Sequence, residues 1–172
     1  MAKKSKKEIE EIRQRQHVEM MSFSRFIFFR YVATFFFFVN LYWSIVLVQA
    51  HEKMWALPLF LIIVIFPTMG EQFKKLHDLS NRLLQTKIYF SIQMITNIVL
   101  IFVCLTPLYF NFYPFMHADE REIVIGILLV GILLCFYAER KAYKIENNQD
   151  KYYKHLKRAK EAADKNIKKL NV

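Results

Sequence analysis

The chain has 172 residues, 55% of them hydrophobic, with only 3 Gly and 4 Pro. That is one domain's length, too apolar for a disordered segment and too poor in turn residues for a soluble β fold; a compact helical membrane domain is expected. The net charge of +10 would suggest nucleic acid in a soluble protein, but here the Lys and Arg flank apolar runs, and anionic lipid is the simpler partner.

Residues 1–30 open with a basic cluster: Lys3, Lys4, Lys6, Lys7, Arg13 and Arg15. Ile9, Ile12, Gln16, Glu19, Phe23 and Phe26 recur at three- and four-residue steps, which predicts a weakly amphipathic N-terminal helix. The polar lead is long and no small-x-small cleavage site follows the apolar run, so the segment is expected to stay attached. The first span is predicted at Tyr31–Val48, 18 uncharged residues with Arg25 and Arg30 before it, placed to snorkel to headgroups.

After a turn at His51–Lys53, the second span is predicted at Trp55–Gly70. Pro58 falls in its first turn, where a missing N–H is harmless. Pro67 lies near its far end and is expected to kink it. Sixteen residues rise about 24 Å, short of a hydrocarbon core of roughly 30 Å, so continuation through Glu71, Gln72 and Phe73 or local thinning of the bilayer must supply the rest. Residues 74–87 form a polar connector in which Leu76, Leu79 and Leu83 share one helical face, and an amphipathic surface helix is expected there.

The third apolar run, Ile88–Tyr113, has 26 residues and no charge. Pro107 is expected to end or kink its helix, giving a span of about 88–110. A polar, aromatic turn follows from Asn111 to Glu122. The fourth span is predicted at Ile123–Ala138. Gly126 and Gly131 are five apart, so a GxxxG face is absent, although either glycine can admit a close neighbour. From Glu139 onward the chain has no Gly or Pro. Ala142, Ile145, Gln149, Tyr152, Leu156, Ala159, Ala163, Asn166 and Leu170 recur about every 3.5 residues, which predicts a long helix continuing from the fourth span.

Charge orients this arrangement. Of the 25 Lys and Arg, 23 lie in residues 1–30, 71–87 and 139–172, and the two opposite loops hold only Lys53 and Arg121. The positive-inside rule therefore predicts a multi-pass protein of the cell membrane with both termini cytoplasmic. The fold class expected is all-α: a four-helix transmembrane bundle with an amphipathic N-terminal segment and a long cytoplasmic C-terminal helix.

The candidate site residues are polar groups inside the spans. Asn40 lies ten residues after Arg30, and Asn97 ten after Lys87, so both sit about 15 Å in. An unpaired amide in hydrocarbon costs several kcal/mol, so both should face protein. Asn40 with Ser44, and Gln93 with Asn97, place polar faces at i, i+4 for interhelical packing or for a polar ligand. Glu71 reads as an interfacial acid in a solvated ion pair with Lys74 and Lys75; a proton-coupled carboxylate is the sharper alternative. Cys104 and Cys135 lie at different depths, too far apart for a disulfide, and read as small apolar residues. The five histidines are scattered, and no HExxH, P-loop or GxSxG is present. No enzyme activity, cofactor or metal is expected.

The N-terminal KKSKKEIEEIRQRQ, the FFFFVNLYW of the first span and the NNQDKYYKH after the fourth resemble a family of small four-span proteins of streptococci and related bacteria. Members are sometimes labelled subunit IIA of a cellobiose phosphotransferase system. The resemblance implies a membrane-embedded chain and a place in sugar uptake. Subunits of that name are soluble proteins with a phosphorylated histidine, and this chain is mostly apolar spans. No phosphorylated residue is carried over, and His77 and His155 stay unassigned. The expected function is a non-enzymatic accessory or regulatory subunit of a larger membrane complex, with a protein partner or a homo-oligomer. A component of sugar uptake and a bacteriocin immunity protein are the alternatives.

Overall fold

The computed structural model describes residues 6–75 and 82–149, with Tyr153 and Lys157 beyond them. Five α-helices and two short 3₁₀ turns make up the described chain: α1 (Lys6–Gln49), α2 (Ala56–Lys74), α3 (Leu84–Cys104), the single turn α4 (Tyr109–Phe112) and α5 (Arg121–Glu146). Among the described residues, four stretches are long and apolar enough to cross a membrane: Arg25–Gln49, Lys53–Lys74, Leu84–Cys104 and Arg121–Glu146. The shortest has 21 residues, about 31 Å of rise, which matches a hydrocarbon core of roughly 30 Å.

The boundaries differ from the sequence reading in physically informative ways. The N-terminal segment and the first span are one uninterrupted helix of 44 residues, because no Gly or Pro lies between Lys6 and Gln49. The second span runs on as helix through Pro67, Glu71, Gln72 and Phe73 to Lys74, which supplies the missing length. The amphipathic connector is not a separate helix where the structure describes it: Lys74 ends α2, Leu83 is a non-helical N-cap, and Lys87 lies in the first turn of α3. Residues 76–81, with Leu76 and Leu79, lie outside the described residues.

The third span starts four residues earlier than expected and ends at Cys104, not near 110. Pro107 is the cause: it lacks an N–H and disfavours helical dihedrals at Thr106. The Val103 carbonyl is satisfied instead by the Thr106 N–H at 3.0 Å and its Oγ1 at 2.8 Å. The fourth helix does not continue unbroken into the tail. It stops at Glu146, where Asn148 takes a left-handed φ of 54°. Gln149 N–H then bonds the Lys144 carbonyl at 2.8 Å, and Asn148 N–H bonds that of Ile145 at 3.1 Å. This is the Schellman pattern. The same pattern closes α1, with His51 at φ 57° and the bonds Glu52 N–H to Leu47 O and His51 N–H to Val48 O.

Sequential helices pack as neighbours, α1 on α2, α2 on α3 and α3 on α5, while α5 and α1 meet only sparsely. One end of the bundle carries Arg25, Lys75, Arg82, Lys87 and Glu146 and is called the basic end below; the other carries the connections at Ala50–Glu52 and 105–120 and is called the loop end. Small residues set the closest seam. In α5 the buried positions Val124, Leu128, Gly131, Cys135, Ala138, Ala142 and Ile145 alternate steps of four and three, and in α3 Thr86, Tyr89, Phe90, Gln93, Asn97, Leu100 and Cys104 do much the same. Knobs at 3.5-residue spacing with Gly, Ala and Cys at the contact let two spans approach closely without a hydrophobic driving force. Ala142 and Ile145, read from the sequence as the start of a tail heptad, are therefore core residues of the bundle. Most of the remaining tail positions lie outside the described residues.

Two apolar clusters fill the interior. Near the basic end Phe26, Phe29, Ala33, Phe36, Phe90, Cys135 and Ala138 pack together. Near the loop end the cluster holds Trp43, Leu47, Leu100, Cys104, Tyr109, Tyr113, Val124 and Leu128. Phe35, Phe38, Ile63, Phe66, Phe102 and Leu133 point outward and are exposed. An outer surface as apolar as this suits lipid rather than water.

Candidate functional site

Between the two apolar clusters lies a layer of amides. Asn40, Gln93 and Asn97 are 2%, 4% and 4% exposed. Asn40 Nδ2 donates to Gln93 Oε1 across the α1–α3 contact at 3.2 Å. Gln93 Nε2 donates to Asn97 Oδ1 at 3.1 Å, and the Tyr89 hydroxyl donates to Gln93 Oε1 at 3.2 Å. Gln93 is thus the hub, with Asn40 and Asn97 at the two ends. Ser44 is buried one turn beyond Asn40 but stays outside this chain of hydrogen bonds.

Gly131 of α5 completes the layer. A Cβ there would lie 2.6 Å from Asn97 Nδ2, whereas a Cβ at Gly126 would meet nothing within 4 Å. One of the two glycines therefore admits a close neighbour, and that neighbour is a polar side chain. Tyr89 escaped the sequence reading. The signal for Tyr89 was its position four residues before Gln93, on the same helical face.

On the loop-end side of the amides a cavity of about 410 Å³ opens between α1, α3 and α5. Its floor is Asn40, Gln93, Asn97 and Gly131, and its walls include Phe36, Leu100, Val124 and Leu128. Phe38, Val39, Tyr42 and Ile127 line its mouth and are themselves exposed on the outer face, so the opening is sideways, where α1 and α5 part. The loop between α3 and α5 roofs it. The Trp43 indole stacks on Tyr113 with centroids 5.6 Å apart and planes at 7°, and Trp43 Nε1 donates to the Phe112 carbonyl at 2.9 Å. Burial pushes the Tyr113 phenol well above its ordinary value, so the ring stays neutral.

At the basic end, helix termini are capped by side chains from neighbouring helices. Helix α3 begins after Leu83, a residue that cannot cap. Its first N–H groups lack intrahelical partners, and two carboxylates supply them. Glu71 of α2 accepts from the Thr86 N–H at 2.8 Å, from the Thr86 hydroxyl at 2.7 Å and, more weakly, from the Gln85 N–H at 3.4 Å. Glu146 of α5 accepts from the Leu83 N–H at 3.0 Å and pairs with Lys87 at 2.8 Å. Both negative charges sit where the helix dipole favours them. Glu71 is therefore not held by an ion pair with Lys74 and Lys75: its carboxylate is taken by the uncapped start of α3, and Lys75 is buried with its ammonium beside the Phe26 ring.

The arginines answer at the opposite kind of terminus. Arg30 Nη2 donates to the Gln72 carbonyl in the last turn of α2 at 2.9 Å. Arg25 is 3% exposed, makes a long 3.5 Å contact to the Ile145 carbonyl at the end of α5, and lies over the rings of Phe26 and Tyr153. Arg30 thus takes a carbonyl in the open last turn of α2, and Arg25 adds a second, weaker donor to the Ile145 carbonyl that already accepts from the Asn148 N–H. Nearby, the Ser91 hydroxyl donates to Glu139. Among the described residues, no three side chains of metal-ligating type gather; Cys104 and Cys135 are buried free thiols. His77 and His155 lie outside the described residues.

The fold and these contacts define a multi-pass, all-helical membrane protein. No family model, no curated protein and no solved structure matches the chain.

Proposed function

We propose that this protein is a non-enzymatic accessory or regulatory subunit of a larger membrane complex, with both termini in the cytoplasm. The supporting observation is how the polar side chains near and within the spans are engaged. Gln93 ties α1 to α3, Glu71 and Glu146 cap α3, Arg25 and Arg30 reach helix carbonyls, and Glu139 holds Ser91. Proton or ion pathways in membranes use ionisable groups that are free to change partners. Here those groups hold helices in place, and a largely apolar lateral surface is left for neighbours in the bilayer.

The basic end faces the cytoplasm on the positive-inside rule. A cleft of about 450 Å³ there is lined by Gly70, Glu71, Lys74, Lys75, Arg82 and Gln85. Its cations suit anionic headgroups of the inner leaflet, at about 1 kcal/mol per Lys or Arg near the surface. Lipid attraction and a protein partner act together in this reading; nucleic acid has no place in it.

Two experiments test the proposal. Single cysteines placed at Glu52 and at Gln149 in a Cys104→Ala, Cys135→Ala background are treated with an impermeant maleimide in intact cells. Labelling at 52 and not at 149 is expected, and the reverse overturns the orientation. Purification in mild detergent should yield a fixed-stoichiometry complex. A sugar permease partner places the protein in cellobiose-type phosphotransferase uptake, and a bacteriocin receptor makes it an immunity protein. A homo-oligomer alone, or phosphate transfer onto the chain from a phosphocarrier, overturns the accessory, non-enzymatic reading.

A further inference from the structure

We propose that the sideways cavity between α1, α3 and α5 is a binding site for an uncharged, mostly apolar molecule of the lipid phase that carries a hydroxyl group. Three observations carry it. The cavity has about 410 Å³, within the size range of ligand pockets. None of its lining residues bears a charge, so an ionic headgroup would enter without a counter-charge at a cost of many kcal/mol. The third observation is the state of its floor.

The amide chain runs Asn40 Nδ2 to Gln93 Oε1, then Gln93 Nε2 to Asn97 Oδ1. It therefore ends on an acceptor, Asn40 Oδ1, and a donor, Asn97 Nδ2, and no described residue bonds either atom. Both residues are more than nine-tenths buried and line the cavity. Apolar surroundings make such open ends costly, because no solvent replaces the missing partner. An acyl chain filling the cavity leaves both ends open. A hydroxyl, being donor and acceptor at once, satisfies either of them. A carbonyl satisfies only the donor.

Entry from the lipid phase follows from the mouth. Phe38, Val39, Tyr42 and Ile127 are all exposed on the outward face, whereas the aromatic roof of Trp43 and Tyr113 closes the loop end. A long-chain alcohol is thus the simplest member of the ligand class, with its hydroxyl on the amide floor and its chain running out between α1 and α5.

The test uses the full chain with Trp55→Phe, so that Trp43 is the only indole, reconstituted in nanodiscs of phosphatidylcholine with brominated acyl chains. Bromine quenches Trp43 when a lipid chain occupies the cavity. Decan-1-ol is expected to relieve that quenching at a membrane mole fraction about tenfold lower than decane, the scale of one or two neutral hydrogen bonds. Asn97→Leu should bring the alcohol down to the alkane's level, and Asn40→Leu should reduce the difference. Equal potency of alcohol and alkane in the unsubstituted floor overturns the proposal. Should the amide variants fail to fold, Ile127→Trp decides, with the added indole distinguished by subtraction of a Trp43→Phe control. This change on an exposed position blocks the mouth: loss of the alcohol effect supports the site, and full retention overturns it. Trp43 unquenched before any addition, in discs holding two copies, shows that a second chain fills the cavity and also overturns it.

Discussion

Replacing Glu71 with Ala removes the carboxylate that closes the N-terminus of α3 from the neighbouring helix. Three hydrogen bonds go with it, to the Thr86 N–H, the Thr86 hydroxyl and the Gln85 N–H. Thr86 is fully buried, so water does not readily take over. The Thr86 hydroxyl keeps Gln72 Nε2 as a donor at 2.7 Å, which limits the loss. Loss of a cap costs about 0.5–2 kcal/mol and loss of a dipole-aligned charge about 0.3–1 kcal/mol, giving roughly 1–3 kcal/mol for Glu71→Ala. Glu71→Gln keeps an acceptor oxygen and loses the charge, so roughly 0.3–1 kcal/mol is expected. For a chain of this size those figures translate to falls in Tm of about 3–9 °C and about 1–3 °C. Thermal unfolding of the purified protein, followed by circular dichroism in one fixed detergent, measures both. The decisive control is Lys74→Ala. Capping predicts an effect within about 0.5 kcal/mol for that surface change. If Lys74→Ala matches Glu71→Ala and the double variant is no worse than either single one, Glu71 acts through an ion pair and the capping argument is wrong.

The other predictions use the same unfolding assay unless stated. Gln93→Leu removes all three bonds of the hub and should cost about 2 kcal/mol at roughly 0.6 kcal/mol for each intramembrane hydrogen bond; Ser44→Ala should stay within about 0.5 kcal/mol, and equal effects would contradict the hub. Gly131→Ala drives a methyl into the Asn97 amide and should cost about 1–3 kcal/mol. Gly126→Ala, with open space around it, should be neutral or stabilise by up to about 1 kcal/mol, and a reversed order would refute the close α3–α5 approach. Asn148→Val forces a β-branched residue into the left-handed region at a cost of about 1–2 kcal/mol, whereas Asn148→Gly is tolerated. Faster amide exchange at Gln149 in the Val variant, and not in the Gly variant, is the sign that the Schellman bond to Lys144 has opened.

Much of the bundle was legible from the residues alone, because crossing a membrane depends on a local property. A run of about 20 apolar residues is long enough whatever lies beside it, and four such runs appear with their charges sorted to one side. That Asn40 and Asn97 turn toward protein followed from the cost of an unpaired amide in hydrocarbon, and both are buried. Where local chemistry dominated, its source was visible as well: Pro107 ends α3, although at Cys104 and not near 110, and α2 runs on past Gly70.

Choice of partner belongs to the tertiary structure. Glu71 lies among lysines in the sequence, yet it serves a helix that starts at Leu84, because packing α2 against α3 brings the carboxylate to N–H groups that have no other acceptor. Glu146 and Arg25 find their partners across 63 and 120 residues, distances that no pattern of spacing reveals. Ala142 and Ile145, read as the start of a tail heptad, instead close a buried series that begins within the span at Val124, and only the neighbouring α3 shows which face it serves. The cavity arises where α1 and α5 meet only sparsely, beside the amide layer. A buried polar group must be satisfied, and that requirement can be read in one dimension; which group satisfies it depends on which helices become neighbours in three.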